Sequence, residues 1–187
     1  MKTKKLFSTE IIDIDSDIIL ERIRVSMAEN LLPMYSDESI YILRPGMPRK
    51  DVASVEKMLS RMCAEIEEKT AAYFVIKSKA DGTYLGVMEC FHFDSMTDKI
   101  EIGYTIFPNQ QGKGLATKAI GLLSRFLLTE IDANRITASV HPDNAASNKA
   151  LLKCSFTYEG TAREGELWPG IGLVDVKQYS LLKKDLF

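Results

Sequence analysis

The sequence predicts an α+β fold in which an antiparallel meander is fused to one parallel strand–helix–strand unit. The first observation is a series of extended segments, Tyr73 to Lys77, Tyr84 to Phe93 and Lys99 to Phe107, separated by short polar turns such as Ala80-Asp81-Gly82. Connections this short join antiparallel neighbours. The second is a change of period after Phe107, where Leu115, Ala119, Leu122, Phe126 and Leu127 form a helical stripe that leads into a strand, Arg135 to His141. The third is a pair of closing strands, Phe156 to Arg163 and Leu173 to Leu181, joined by a loop containing Trp168-Pro169-Gly170.

The remaining elements fit around this frame. Ile18 to Val25 reads as the first strand, and Met27 to Tyr41 as short irregular helix or loop. Pro48 and Asp51 open a helix whose apolar positions Val52, Val55, Leu59, Met62, Cys63 and Ile66 recur at helical spacing, so that one face is buried. Ser147 is placed to cap a short helix ending near Cys154. With 187 residues the expectation is one domain spanning the chain, large enough to bury a core without disulfides or metal.

Composition excludes several classes. With 45% hydrophobic residues, 27% charged residues and a net charge of −2, neither disorder nor nucleic-acid binding is indicated. Cys63, Cys90 and Cys154 are scattered and odd in number, which gives no disulfide framework and no paired metal-ligand spacing. His92 and His141 stand apart from the cysteines and from each other, so no metal is expected and both read as structural. Asp13, Asp15 and Asp17 interrupt the apolar stretch that follows the amino-terminal lysines, and no apolar run approaches membrane-spanning length. A cytoplasmic protein is expected, with homodimerisation left open.

The stretch that carries chemistry is Pro108-Asn109-Gln110-Gln111-Gly112-Lys113-Gly114-Leu115-Ala116-Thr117, between a strand and an amphipathic helix. Small residues at 112, 114 and 116 let backbone amides approach a ligand, and the helix start adds unpaired N–H groups and the positive end of its dipole. A diphosphate suits such a place, although a tight turn that merely starts a helix has the same look. A Walker-type loop is excluded because Lys113 is followed by Gly114. A dinucleotide fingerprint begins with Gly112 and Gly114, yet Thr117 holds the third glycine's place and Asp132 precedes the next strand instead of following it.

Gln111-x-x-Gly114-x-Ala116 after a strand ending at Pro108, followed by Asn144-x-x-Ser147 and a short helix, resembles the acetyl-CoA signature of the GNAT N-acetyltransferase superfamily. Glu101-Ile102-Gly103-Tyr104, Phe156 with Glu159-Gly160, and the ending Asp175 to Leu182 are similar to the branch containing ribosomal-protein alanine and serine N-acetyltransferases.

The resemblance implies a GNAT-like, mostly antiparallel sheet with helices on both faces, acetyl-CoA as acyl donor, and direct attack by an acceptor amine, either a protein amino terminus or a small amine. It places the cofactor against Ile106, Phe107, Gln111, Gly112, Lys113, Gly114, Leu115, Ala116 and Thr117, with an amide near Ile106 holding the thioester oxygen. Glu101 stands at the family's acidic position, as base or as orienting carboxylate, with Glu89 in reserve. Alternation along Ile100 to Phe107 puts Glu101, Gly103 and Thr105 on one face and Ile100, Ile102, Tyr104 and Ile106 on the other. The tyrosine that many relatives carry on the short helix is replaced by Leu151, which points to Ser147 as the group near the sulfur, unless it is only a cap. Asn144 and Asn148 are placed to bond pantetheine amides, to terminate the preceding loop, or to do both. Glu159, Glu164 and Glu166 cluster about Trp168 where an acceptor would approach. A non-catalytic acyl-CoA sensor would keep the turn but could dispense with Glu101.

Overall fold

Residues 1–15 and 17–186 are described by a computed structural model. Among them, strands β1 (Ile11–Ile12), β2 (Ile18–Arg22), β3 (Ala72–Ser78), β4 (Tyr84–Asp94), β5 (Lys99–Ile106), β6 (Arg135–Val140), β7 (Thr157–Trp168) and β8 (Gly172–Leu182) form one sheet. Its order is β1-β2-β3-β4-β5-β6-β8-β7. Every neighbouring pair is antiparallel except β5 and β6, which are parallel as the strand–helix–strand reading requires.

Helices α1 (Thr3–Ser8), α4 (Leu115–Thr129) and α5 (Ala145–Lys153) cover one face, while α2 (Ala28–Tyr35) and α3 (Val52–Glu67) cover the other. Strand alternation produces the two cores: Phe74 and Ile76 point to the α4 side, Tyr73 and Val75 to the α3 side. Helix α3 starts as its sequence predicts. Asp51 accepts from the Ser54 amide at 2.8 Å, and the Asp51 amide donates to Ser54 Oγ at 3.3 Å, a capping box above the buried stripe of Val55, Leu59, Met62 and Ile66.

Three expectations are corrected. The first strand is β1, preceded by helix α1, and Ile18 opens the second strand, which ends at Arg22. The closing hairpin is longer than the sequence pattern implies, because Trp168 ends β7 and only three residues, Pro169 to Ile171, connect it to β8. The cap of α5 is Asn144, whose Oδ1 accepts from the Ser147 amide at 3.1 Å; Ser147 is the third helical residue and not the cap. The irregular segment after β2 consists of a 3₁₀ turn, Val25–Met27, helix α2 with Pro33 inside it, and a second 3₁₀ turn, Glu38–Tyr41.

The feature that positions the site is the limited pairing of β5 with β6. Their register runs only from Lys99↔Arg135 to Glu101↔Thr137. Beyond that point β6 stays with β8 and β5 stays with β4, so the sheet opens between Gly103–Ile106 and the end of β6.

Candidate active site

The opening exposes main-chain groups of β5. Phe107 donates its amide to Leu85 O on the β4 side at 3.0 Å. Because amides alternate in direction along a strand, those of Tyr104 and Ile106 face the gap. The Ile106 carbonyl also faces it, and Gln111 Nε2 donates to that oxygen at 3.2 Å. The glycine-rich turn is thereby tied to the edge of the gap it follows.

Helix α4 begins without any side-chain cap, since its N-cap is Gly114 in the left-handed conformation at φ 78°. Helical bonding begins when Lys118 N donates to Gly114 O at 3.1 Å, which leaves the amides of Leu115, Ala116 and Thr117 as donors at the helix start. Gly112 is left-handed as well, at φ 77°, and a Cβ added at either glycine would meet no protein atom within 4 Å. The small residues thus do not relieve crowding inside the fold. They keep open the space in front of the amides.

A cavity of about 440 Å³ lies along this turn and the start of α5, bounded by Ile106, Gln111, Gly112, Gly114 and Thr117 among others. A second cavity, of about 260 Å³, lies beyond the gap on the α3 side and is bounded by Glu89, His92, Glu101, Ser139, Glu166 and Trp168 among others. Leu43, Arg44, Tyr104, Thr105, Asn144 and Ser147 border both. The two cavities therefore meet where β5 and β6 part.

At this junction the Tyr104 hydroxyl donates to the Ser147 carbonyl at 3.4 Å. Burial pushes the Tyr104 phenol up to about 12, so it stays protonated through the neutral range. In the smaller cavity Glu101 is mostly covered, its side chain 15% exposed. Its Oε1 accepts from Ser139 Oγ at 2.7 Å across the gap, and its Oε2 lies 3.0 Å from His92 Nδ1. Glu89 faces the same space, 3.6 Å from Arg44 Nη2. Glu166 accepts from Trp168 Nε1 at 3.0 Å, and the indole, 3% exposed, packs 5.2 Å from the His141 ring.

The structure brings together most of the residues singled out from sequence: Glu101 in the smaller cavity, Ser147 and Asn144 at the junction, and Ile106, Gln111, Gly112, Gly114, Leu115, Ala116 and Thr117 around the larger cavity. It places others elsewhere. Phe107 is a core residue on the α3 face. Lys113 extends outward, its Nζ donating to Gln110 Oε1 at 2.8 Å. Asn148 is buried and fully engaged, its Nδ2 donating to Asn144 O at 2.7 Å and Pro142 O at 3.2 Å while its Oδ1 accepts from Tyr179 at 2.6 Å, so it braces α5 against β8. Of the three acidic residues grouped around Trp168, only Glu166 borders the cavity. Glu159 is held by Ser180 and Arg135, which keep its carboxyl below the usual range, and the Glu164 amide donates to Asp175.

Three groups at the site escape sequence reasoning. Alternation assigns Tyr104 only to the apolar face, Ser139 carries no signal, and His92 reads as structural. By strand alternation His92 should face away from Glu101, whose cross-strand partner is Phe91. A bulge intervenes: pairing resumes only at Asp94↔Lys99, and His92 adopts φ 50°, which turns its ring toward Glu101.

Comparison with known proteins agrees with this arrangement. The family model described as "Acetyltransferase (GNAT) domain" matches residues 17–157. The uncharacterized N-acetyltransferase p20 of Bacillus licheniformis is 31% identical over 168 residues, covering 90% of this chain and 94% of that protein. Among solved structures, the ribosomal L7/L12 alpha-N-protein acetyltransferase RimL in complex with coenzyme A superposes with a TM-score of 0.81 at 20% identity, over 92% of this chain and 98% of that one. The microcin C7 self immunity acetyltransferase MccE in complex with acetyl-CoA and AMP gives 0.81 at 24% identity, over 94% and 98%. An opened parallel pair, an uncapped helix start behind it and a family match across most of the chain converge on one assignment: this chain belongs to the GNAT acetyltransferase family and is an N-acetyltransferase.

Proposed function

We propose that the chain binds acetyl-CoA in the larger cavity, seats an amine in the smaller one, and transfers the acetyl group directly between them. The observation that carries this reading is the meeting of the two cavities at the β5–β6 gap. Coenzyme A is bound in the solved relatives RimL and MccE, the latter as acetyl-CoA. Here the free amides of Leu115 to Thr117 suit a diphosphate, and the inward-facing main chain of Tyr104 and Ile106 suits the pantetheine arm and the thioester oxygen.

In the reaction the amine nitrogen attacks the thioester carbon, the C–S bond breaks, and the thiolate leaves as coenzyme A after taking a proton. The acceptor arrives as an ammonium and must first lose a proton. Glu101 takes it through water, since its carboxylate is held at the rim of the smaller cavity. Tyr104 and Ser147 stand at the junction as hydroxyl donors toward the departing sulfur. Arg44 offsets the charge of Glu89, and Glu101 and Glu166 make the smaller cavity attractive to a cation. RimL acts, by its name, on the amino terminus of a ribosomal protein, which favours a protein amino terminus over a polyamine as the first acceptor to try.

Release of free thiol from acetyl-CoA against peptides, polyamines and amino acids tests the reading. Acceptor-dependent thiol release from at least one amine is expected. Binding of acetyl-CoA with no release above hydrolysis for any amine would make the chain a sensor of acyl-CoA.

A further inference from the structure

We infer that His92 is a positioning residue for the proton-accepting carboxylate, acting through Glu101. This rests on the role proposed above for Glu101. The imidazole lies outside the cofactor cavity, and its side chain is 72% exposed, so packing does not explain why it is held where it is. What holds it is local. His92 occupies the left-handed region at φ 50°, a conformation that a non-glycine residue adopts at a cost and that histidine, asparagine and aspartate tolerate best. The bulge formed by His92 and Phe93 opposite Ile100 aims the ring back across β4, and the ring stands edge-on to Phe91 with centroids 4.9 Å apart and planes at 84°.

The result is a carboxylate gripped from both sides. Ser139 Oγ donates to Oε1 at 2.7 Å from β6, and His92 Nδ1 meets Oε2 at 3.0 Å from β4. A carboxylate only accepts, so the imidazole donates its Nδ1–H. Each oxygen keeps a second lone pair for the water that relays the ammonium proton. Neither Phe91, the cross-strand partner of Glu101, nor Gly103, the next residue of β5 on that face, offers a side-chain donor. Without His92 the carboxylate is tethered through one oxygen and is free to turn about its last bond, away from the geometry that proton transfer needs.

Two measurements test this. The first is turnover of His92→Gly and His92→Asn, each alone and combined with Glu101→Gln, with acetyl-CoA varied up to saturation and an alanyl peptide amide and cadaverine as acceptor probes. Both replacements tolerate the left-handed backbone, and asparagine keeps an N–H donor. His92→Gly is expected to lower kcat about tenfold without moving the KM for acetyl-CoA, and His92→Asn to recover most of the loss. In the Glu101→Gln background His92→Gly costs nothing further. A loss of the same size in both backgrounds, or none in either, overturns the inference. Glu101→Gln that retains turnover overturns instead the role of Glu101 itself. The second needs no acceptor: the imidazole ¹⁵N spectrum of the intact protein shows a proton on Nδ1 of His92, and a ring protonated only at Nε2 contradicts the proposed bond.

Discussion

The Tyr104 hydroxyl donates to the Ser147 carbonyl oxygen at 3.4 Å and so joins β5 to the first turn of α5 where the two cavities meet. At that length the bond is weak, and a sulfur arriving in the gap has a better acceptor to offer. Tyr104→Phe removes the hydroxyl and keeps the ring's packing. We expect kcat to fall about tenfold with acetyl-CoA affinity almost unchanged. Unchanged kcat in the folded variant removes Tyr104 from the chemistry.

Gly114→Val tests the amide cradle. The protein has room for the added carbons, because no atom lies within 4 Å of where the Cβ would stand, but they project into the space in front of the helix start, and φ 78° is unfavourable for a branched residue. Calorimetry should show acetyl-CoA affinity weakened tenfold or more. Wild-type affinity in a folded variant removes the cradle from the account.

Asn148 separates bracing from cofactor contact. Asn148→Ala strands the buried Tyr179 hydroxyl, while the Asn144 carbonyl keeps its bond from the amide of residue 148. Denaturant unfolding should show a loss of about 2 kcal/mol, with acetyl-CoA affinity of the folded protein nearly intact. A stable variant with weak acetyl-CoA binding restores Asn148 to the cofactor site.

Alkaline pH should destabilise the fold, and the sign follows from the tyrosines. Burial raises the phenols of Tyr104, to about 12, and of Tyr35 and Tyr73. A raised folded-state value means the stabilisation is fully present below the ordinary tyrosine value near 10 and is lost as pH climbs through the folded one. Urea melts between about pH 9 and pH 11.5 should show falling stability, with Tyr104→Phe reducing the fall by on the order of 2 kcal/mol at the upper end. An identical pH slope in the variant means that Tyr104 is more solvated than its surroundings imply.

The meander, the parallel unit and the glycine-rich turn are legible in the sequence because each rests on local chemistry: strand alternation, helical stripes, and glycines where φ is positive. What escapes depends on irregularity. A bulge at His92 reverses the face that alternation assigns, and no residue type near it announces one. Ser139 meets Glu101 only because pairing of β5 with β6 stops at Thr137 while their side chains still reach across. The cap of α5 lies three residues before the serine that the pattern favours, because Asn144 and Ser147 are both good caps and only the path of the chain from His141 decides between them. Asn148 is legible as important but not as structural, since its partner Tyr179 lies 31 residues away.

The most direct test of the central claim is a crystal structure with acetyl-CoA bound. The diphosphate should accept from the amides of Leu115, Ala116 and Thr117, and the thioester should lie in the gap between β5 and β6 beside Tyr104 and Ser147. A diphosphate bound away from that turn, or a thioester that stays outside the gap, contradicts it.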